Sequence, residues 1–162
     1  MINETGRGDI FKTDAPYIAF PINAEGAVGD GFDGQVIEKG WQELSNVGPQ
    51  PIGTVLTKKI GDKTYYALVC YSLQNEWGTP EEQRKNIKKC FDNIPANKGE
   101  KIASNVIGTG FVEMMSGANP KQIICGMCDS DKDIILYNIS LEQVKQWWLI
   151  LFPWQEQVWH VL

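Results

Sequence analysis

A single histidine, His160, occurs in the 162 residues. Zinc sites draw three or four ligands from Cys, His and carboxylates, and the stretch Cys125-Gly126-Met127-Cys128 has no histidine close by to complete such a set. No metal is expected. Cysteine is scarce too, the full set being Cys70, Cys90, Cys125 and Cys128. In a reducing compartment these read as buried small hydrophobes rather than as disulfides. Long apolar runs are missing: the longest, residues 147–154, is broken by Pro153 and falls short of the roughly 20 residues of a membrane-spanning helix. No membrane partner is expected. The first six residues, Met1-Ile2-Asn3-Glu4-Thr5-Gly6, lack the basic and apolar regions of an export signal, so a cytoplasmic location is expected. Positive charge is in deficit, with fifteen Lys and Arg against twenty Asp and Glu. Without a net basic field nucleic acid is disfavoured as a partner.

What is present is the composition of a folded domain, 43% hydrophobic and 22% charged, well away from the low-apolar, high-charge regime of disordered chains. The length fits one domain over residues 1–162, since domains average roughly 100–200 residues. Residues 140–162 are expected to form an aromatic-rich C-terminal helix and tail, with Trp147 and Leu151 on one helical face.

Strands and helices alternate along the chain. Residues 17–22, Tyr-Ile-Ala-Phe-Pro-Ile, are the almost continuous apolar run of a strand covered on both faces. A glycine-rich loop follows, and Asp33 is placed to cap a helix carrying Val36, Ile37, Gly40, Trp41 and Leu44 on one side. Residues 53–60 and 63–71 read as a hairpin around Gly61-Asp62. Thr79-Pro80-Glu81-Glu82 combines an N-cap, a first-turn proline and a glutamate three residues after the cap, which starts a helix with Ile87, Cys90, Phe91 and Ile94 at helical spacing. Residues 101–107 read as a strand running into Gly108-Thr109-Gly110, residues 119–127 as a short helix and residues 133–137 as a last strand. Ser140-Leu141-Glu142-Gln143 is a capping box. This alternation specifies an α/β layered sheet with helices on both faces.

In such sheets ligands bind beyond the carboxyl ends of the strands, which is where both glycine-rich loops emerge. Glycines admit close backbone approach, and a helix N-terminus behind the loop favours an anion such as phosphate. No Gly-Lys-Ser/Thr follows either loop and neither spells a dinucleotide-binding fingerprint. P-loop hydrolase and dehydrogenase chemistry are thereby excluded.

Four landmarks occur in order: Gly8-Asp9-Ile10; Ile18-Ala19-Phe20-Pro21-Ile22-Asn23; Gly29-Asp30-Gly31-Phe32-Asp33-Gly34 ahead of a helix; and Ile107-Gly108-Thr109-Gly110-Phe111. Together they resemble the macro domain family over about residues 8–137. The resemblance implies a three-layer α/β/α domain with a mixed central sheet and ADP-ribose or a derivative as ligand, with no cofactor. It implies that Asp9 contacts adenine with the backbone of Ile10 beside it, and that Gly29, Gly31 and Phe32 surround the distal ribose and diphosphate. Gly108, Thr109, Gly110 and Phe111 then close over the phosphates. Asn23 precedes Asp33 by ten positions, the spacing seen in macro-domain hydrolases. That match assigns Asn23 to orienting the ribose or a water and Asp33 to proton transfer at the anomeric carbon.

The chain also departs from the family pattern. Asp30 interrupts the glycine run, Ile37 stands where many deacylating members have a histidine, and Val112 and Glu113 occupy the neighbourhood of a lysine-nucleophile branch. A covalent-lysine route is therefore unsupported. Two function classes stay open: a hydrolase acting on ADP-ribose 1″-phosphate or ADP-ribosylated protein, and a non-catalytic module that reads or sequesters ADP-ribose.

Overall fold

The computed structural model describes residues 1–29, 31–108, 116–139 and Leu149. Its strands are β1 (Ile2–Gly6), β2 (Tyr17–Asn23), β3 (Val55–Ile60), β4 (Lys63–Tyr71), β5 (Lys101–Asn105) and β6 (Asp133–Tyr137). The helices are α1 (Phe32–Lys39), α2 (Pro80–Asp92) and α3 (Pro120–Asp129), with 3₁₀ turns at Ile10–Lys12 and Gln42–Asn46. The strands form one mixed sheet in the order β1-β6-β5-β2-β4-β3. Every neighbouring pair is parallel except the β3–β4 hairpin.

Alternating side chains sort the sheet into two cores. On one face Ala19, Leu68, Cys70, Ile102 and Ile134 pack with Ile87 and Phe91 of α2 and Ile123 of α3, and Leu149 packs against this cluster. On the other, Ile18, Phe20, Ile22, Ala67 and Val69 pack with Val36 of α1 and with Trp41 and Leu44. Residues 65–71 of β4 are buried without interruption, as expected of a strand covered on both sides. The architecture is thus three layers, α/β/α. Among the described residues no helix is long and apolar enough to cross a membrane.

Several element ends shift by one or two residues from the sequence reading, and two larger differences have clear causes. β1 escapes a periodicity search because only Ile2 of its five residues is buried. Helix α1 ends at Lys39 because Gly40 adopts φ +146°, and Trp41 and Leu44 reach the same core from the turn that follows. The helix expected after Ser140, with Trp147 and Leu151, lies outside the described residues. All four cysteines are buried, and burial pushes the thiols of Cys90 and Cys128 up to about 12 and that of Cys125 to about 11. Those three thiols remain protonated at neutral pH, and the buried cysteines act as core packing.

Helices α2 and α3 meet at Gly126, where an added Cβ would lie 2.5 Å from the Arg84 carbonyl oxygen. A two-pronged ion pair, Arg84 Nε and Nη2 to the Asp129 oxygens at 2.5 and 2.9 Å, bolts the same contact. Alanine here gains about 1 kcal/mol of helix propensity, but overpacking costs about 1–3 kcal/mol and the obstructing atom is backbone. Gly126→Ala is expected to lower stability by roughly 1–2 kcal/mol in denaturant unfolding. An unchanged or raised midpoint would mean that the two helices separate freely.

Candidate functional site

Strands β2 and β5 are adjacent and parallel, yet they lead to opposite layers. β2 runs into α1, whereas β5 is followed by α3 on the other face. Chains diverging from neighbouring strands leave a crevice at their carboxyl ends, the usual ligand position in open α/β sheets. A cavity of about 650 Å³ occupies that position. Its floor is Ala19, Phe20 and Pro21 of β2, Ser104 and Asn105 of β5, and Tyr137 of β6. Gly31 and Phe32 form one wall, and residues 106–108 with Asn138 and Ile139 complete it. The lining is mostly apolar with the amides of Asn105 and Asn138 and the hydroxyls of Ser104 and Tyr137, the composition of a small-molecule site.

The wall at Gly31 is also the start of a helix. Gly31 is the N-cap of α1 and supplies no side-chain cap, so the first turn of the helix starts at the cavity wall without a cap from that residue. The start differs from the expectation that Asp33 caps this helix. Phe32 stacks on Phe11, with centroids 4.9 Å apart and an interplanar angle of 2°, and lies 5.6 Å from the Phe20 ring. That packing draws the chain into the helical turn before Asp33 is reached. Asp33 instead sits in the first turn, accepting from the Gly29 N–H at 2.8 Å and the Gly34 N–H at 2.9 Å. Gly34 is tightly constrained, since a Cβ there would lie 2.6 Å from the Gly29 carbonyl oxygen.

Asn23, at the end of β2, is buried. Its Nδ2 donates to the Ala27 carbonyl at 2.6 Å and its Oδ1 accepts from the Ala27 N–H at 3.0 Å. The side chain therefore folds its own loop. Glu25 ties that loop to the next one, accepting from Ser72 Oγ at 2.6 Å and the Leu73 N–H at 3.0 Å. Burial acts to raise the Glu25 carboxyl, but these hydrogen bonds outweigh it and hold it below the usual carboxylate range. Further along, the Gln50 N–H donates to the Ala24 carbonyl at 2.7 Å. Residues 23–29 are thus fixed before any ligand arrives, which spares the entropy of ordering them on binding.

Asp9 is exposed and caps the 3₁₀ turn by accepting from the Phe11 N–H at 3.0 Å; Ile10 beside it is buried. Of the residues singled out from the sequence, Gly31, Phe32 and Gly108 lie on the cavity wall. Asp9, Ile10, Asn23, Gly29 and Asp33 do not line it, and Thr109, Gly110 and Phe111 fall outside the described residues. The sequence reading missed Ser104, Asn105, Tyr137 and Asn138 as site residues. Their only sequence signal is position at the carboxyl ends of two strands.

The arrangement defines a class: three-layer α/β proteins with a cavity at a topological switch point beside a helix N-terminus. Within that class the chain has the macro-domain fold. It is similar to a variant of the Oceanobacillus iheyensis macrodomain with ADPR, at TM-score 0.60 and 18% identity, covering 92% of this chain and 91% of that one. It is also similar to the macrodomain of Mycobacterium tuberculosis DarG, at TM-score 0.59 and 15% identity, covering 86% of this chain and 99% of that one. Against an alphavirus P23pro-zbd structure the TM-score is 0.57 at 13% identity, covering 94% of this chain but spanning only 24% of that longer one. In sequence the chain matches no family model and no curated protein.

Proposed function

We propose that the protein binds ADP-ribose or a close derivative in this cleft and hydrolyses a bond at its distal ribose, as an ADP-ribose 1″-phosphate phosphatase or an ADP-ribosyl hydrolase. The observation that carries the reading is the cavity at the diverging ends of β2 and β5, walled by Gly31, Phe32 and Gly108, on a macro-domain fold. The Oceanobacillus variant of the same fold holds ADPR. In this reading adenine lies by Asp9 and Ile10, and the diphosphate lies along the α1 N-terminus between residues 29–31 and the loop of Gly108, Thr109, Gly110 and Phe111. The distal ribose faces the segment that Asn23 and Asp33 organise. The chemistry requires no cofactor: a carboxylate that takes a proton and an amide that orients a water suffice. ADP-ribosylated protein is the macromolecular form of the same ligand.

A second reading, a binding module without turnover, has its own support. Both ends of the Asn23 amide and both Asp33 oxygens already bond backbone groups, those of Ala27, Gly29 and Gly34. Calorimetric titration with ADP-ribose, followed by assays of phosphate release from its 1″-phosphate and of ADP-ribose release from ADP-ribosylated protein, tests the two in turn. Binding with release neither of phosphate from the 1″-phosphate nor of ADP-ribose from ADP-ribosylated protein selects the module; absence of heat and of both releases rejects both readings.

Placement of the adenine is tested separately. Asp9→Ala is expected to weaken ADP-ribose by about 1.5–3 kcal/mol, the worth of a hydrogen bond to a charged group. Ribose 5-phosphate, which has no adenine, should bind Asp9→Ala and the unaltered chain alike. Asp9→Asn keeps an acceptor for the Phe11 N–H and should lose less. Equal weakening of both ligands would show that the change acts through the 3₁₀ turn rather than through adenine.

A further inference from the structure

Among the described residues strand β1 lies at one end of the sheet and pairs only with β6. The loop that follows β1, carrying Asp9 and Ile10, therefore gets little support from the ladder itself. The residue after β6 supplies it. Asn138 has φ +65°, the left-handed region that asparagine tolerates better than most residues. Its backbone N–H donates to the Gly6 carbonyl at 2.8 Å. Its side-chain amide then meets the Gly8 peptide in both directions: the Gly8 N–H donates to Oδ1 at 3.1 Å, and Nδ2 donates to the Gly8 carbonyl at 3.3 Å. Nδ2 also lies 3.4 Å from Oδ1 of Asn105 at the end of β5. A primary amide is the neutral side chain that offers a donor and an acceptor side by side, which is what this reciprocal pairing requires.

We propose that Asn138 is a positioning residue that holds the loop of Asp9 and Ile10 beside the adenine end of the cleft by clamping the Gly8 peptide onto the ends of β5 and β6. The proposal rests on the ADP-ribose reading above. Asn138 itself lines the cavity, as does Asn105, so the clamp joins the wall to the loop directly.

The test uses the full chain with ADP-ribose and ribose 5-phosphate as probes. Asn138→Gly keeps the left-handed backbone without steric cost and removes the whole amide. It is expected to weaken ADP-ribose about tenfold, through the loss of two to three ordinary hydrogen bonds, while ribose 5-phosphate binds unchanged and exchange of the Gly8 amide quickens. Asn138→Asp keeps the acceptor for Gly8 but turns an oxygen toward the Gly8 carbonyl and Asn105. It should weaken ADP-ribose at least as much, with the Gly8 amide still protected. An Asn138→Gly variant that binds ADP-ribose like the unaltered chain, or loses both ligands equally, overturns the proposal while leaving the ADP-ribose reading standing. If the unaltered chain gives no heat with ADP-ribose, that reading falls and the proposal with it.

Discussion

Asp33→Asn is expected to lower turnover of ADP-ribose 1″-phosphate by about 10²–10⁴-fold, the usual contribution of a general base. The geometry makes the substitution more informative than a simple loss of charge. Asp33 accepts from two backbone N–H groups, those of Gly29 and Gly34, through different oxygens. Asparagine has one carbonyl oxygen, so it keeps one bond and sets its NH₂ against the other donor. A base role and an anchor role therefore diverge in kinetics. Loss of a base lowers kcat and leaves the affinity for ADP-ribose close to that of the unaltered chain. Loss of the anchor frees residues 29–31 and weakens ADP-ribose and kcat together. Full activity in Asp33→Asn would remove this residue from the chemistry and assign proton transfer to another group of the site.

The largest change in stability is expected at Trp77. Its ring is 2% exposed and stacks on Tyr71 with centroids 4.3 Å apart, and its indole N–H is the one buried side-chain polar group without a partner among the described residues. Truncation to alanine should cost about 3–5 kcal/mol. At roughly 2–4 °C per kcal/mol for a chain of this size, the melting temperature falls by about 6–20 °C. Phenylalanine behaves differently because two terms oppose. The smaller ring leaves a void, but an unsatisfied buried donor, itself a burden of about 1–3 kcal/mol, disappears. Trp77→Phe should therefore stay within about 1 kcal/mol of the unaltered chain. A Trp77→Phe variant as unstable as Trp77→Ala would mean that the indole N–H has a partner in solution.

The readable parts of the fold are those whose causes are local. The apolar run of β2, the Gly61-Asp62 turn between β3 and β4, and the Thr79 cap on α2, which accepts from the Glu82 N–H, each depend on a few consecutive residues. β1 was not readable because its place is secured by pairing with β6, over 130 residues away at Ile2 and Ile134. The two glycine loops stand out as sequence, but the cavity floor does not. Ala19, Ser104 and Tyr137 are ordinary strand residues until parallel pairing brings three strand ends together. Asn23 shows the limit of carrying a role over by position: its spacing to Asp33 is visible in the sequence, whereas the pairing of its amide with Ala27 depends on a loop conformation that spacing does not encode.

The partnership of β1 with β6 also bears on how the chain is made. A ribosome releases residues 1–6 before residues 133–137, and among the described residues the strand they form has a single neighbour in the sheet, Asp133–Tyr137, which is still to be synthesised. Until it emerges, β1 has no ladder to join, and the Gly6 and Gly8 peptides have no Asn138 to hold them. β2, β3 and β4 can pair with one another well before that. Vectorial synthesis thus leaves the β1 segment unpaired beside a partly built sheet, the kind of intermediate that chaperones protect. The loop bearing Asp9 and Ile10 takes its place only after the described sheet has its last strand, so a nascent chain halted before residue 133 has the β2 side of the cleft without the β1 side.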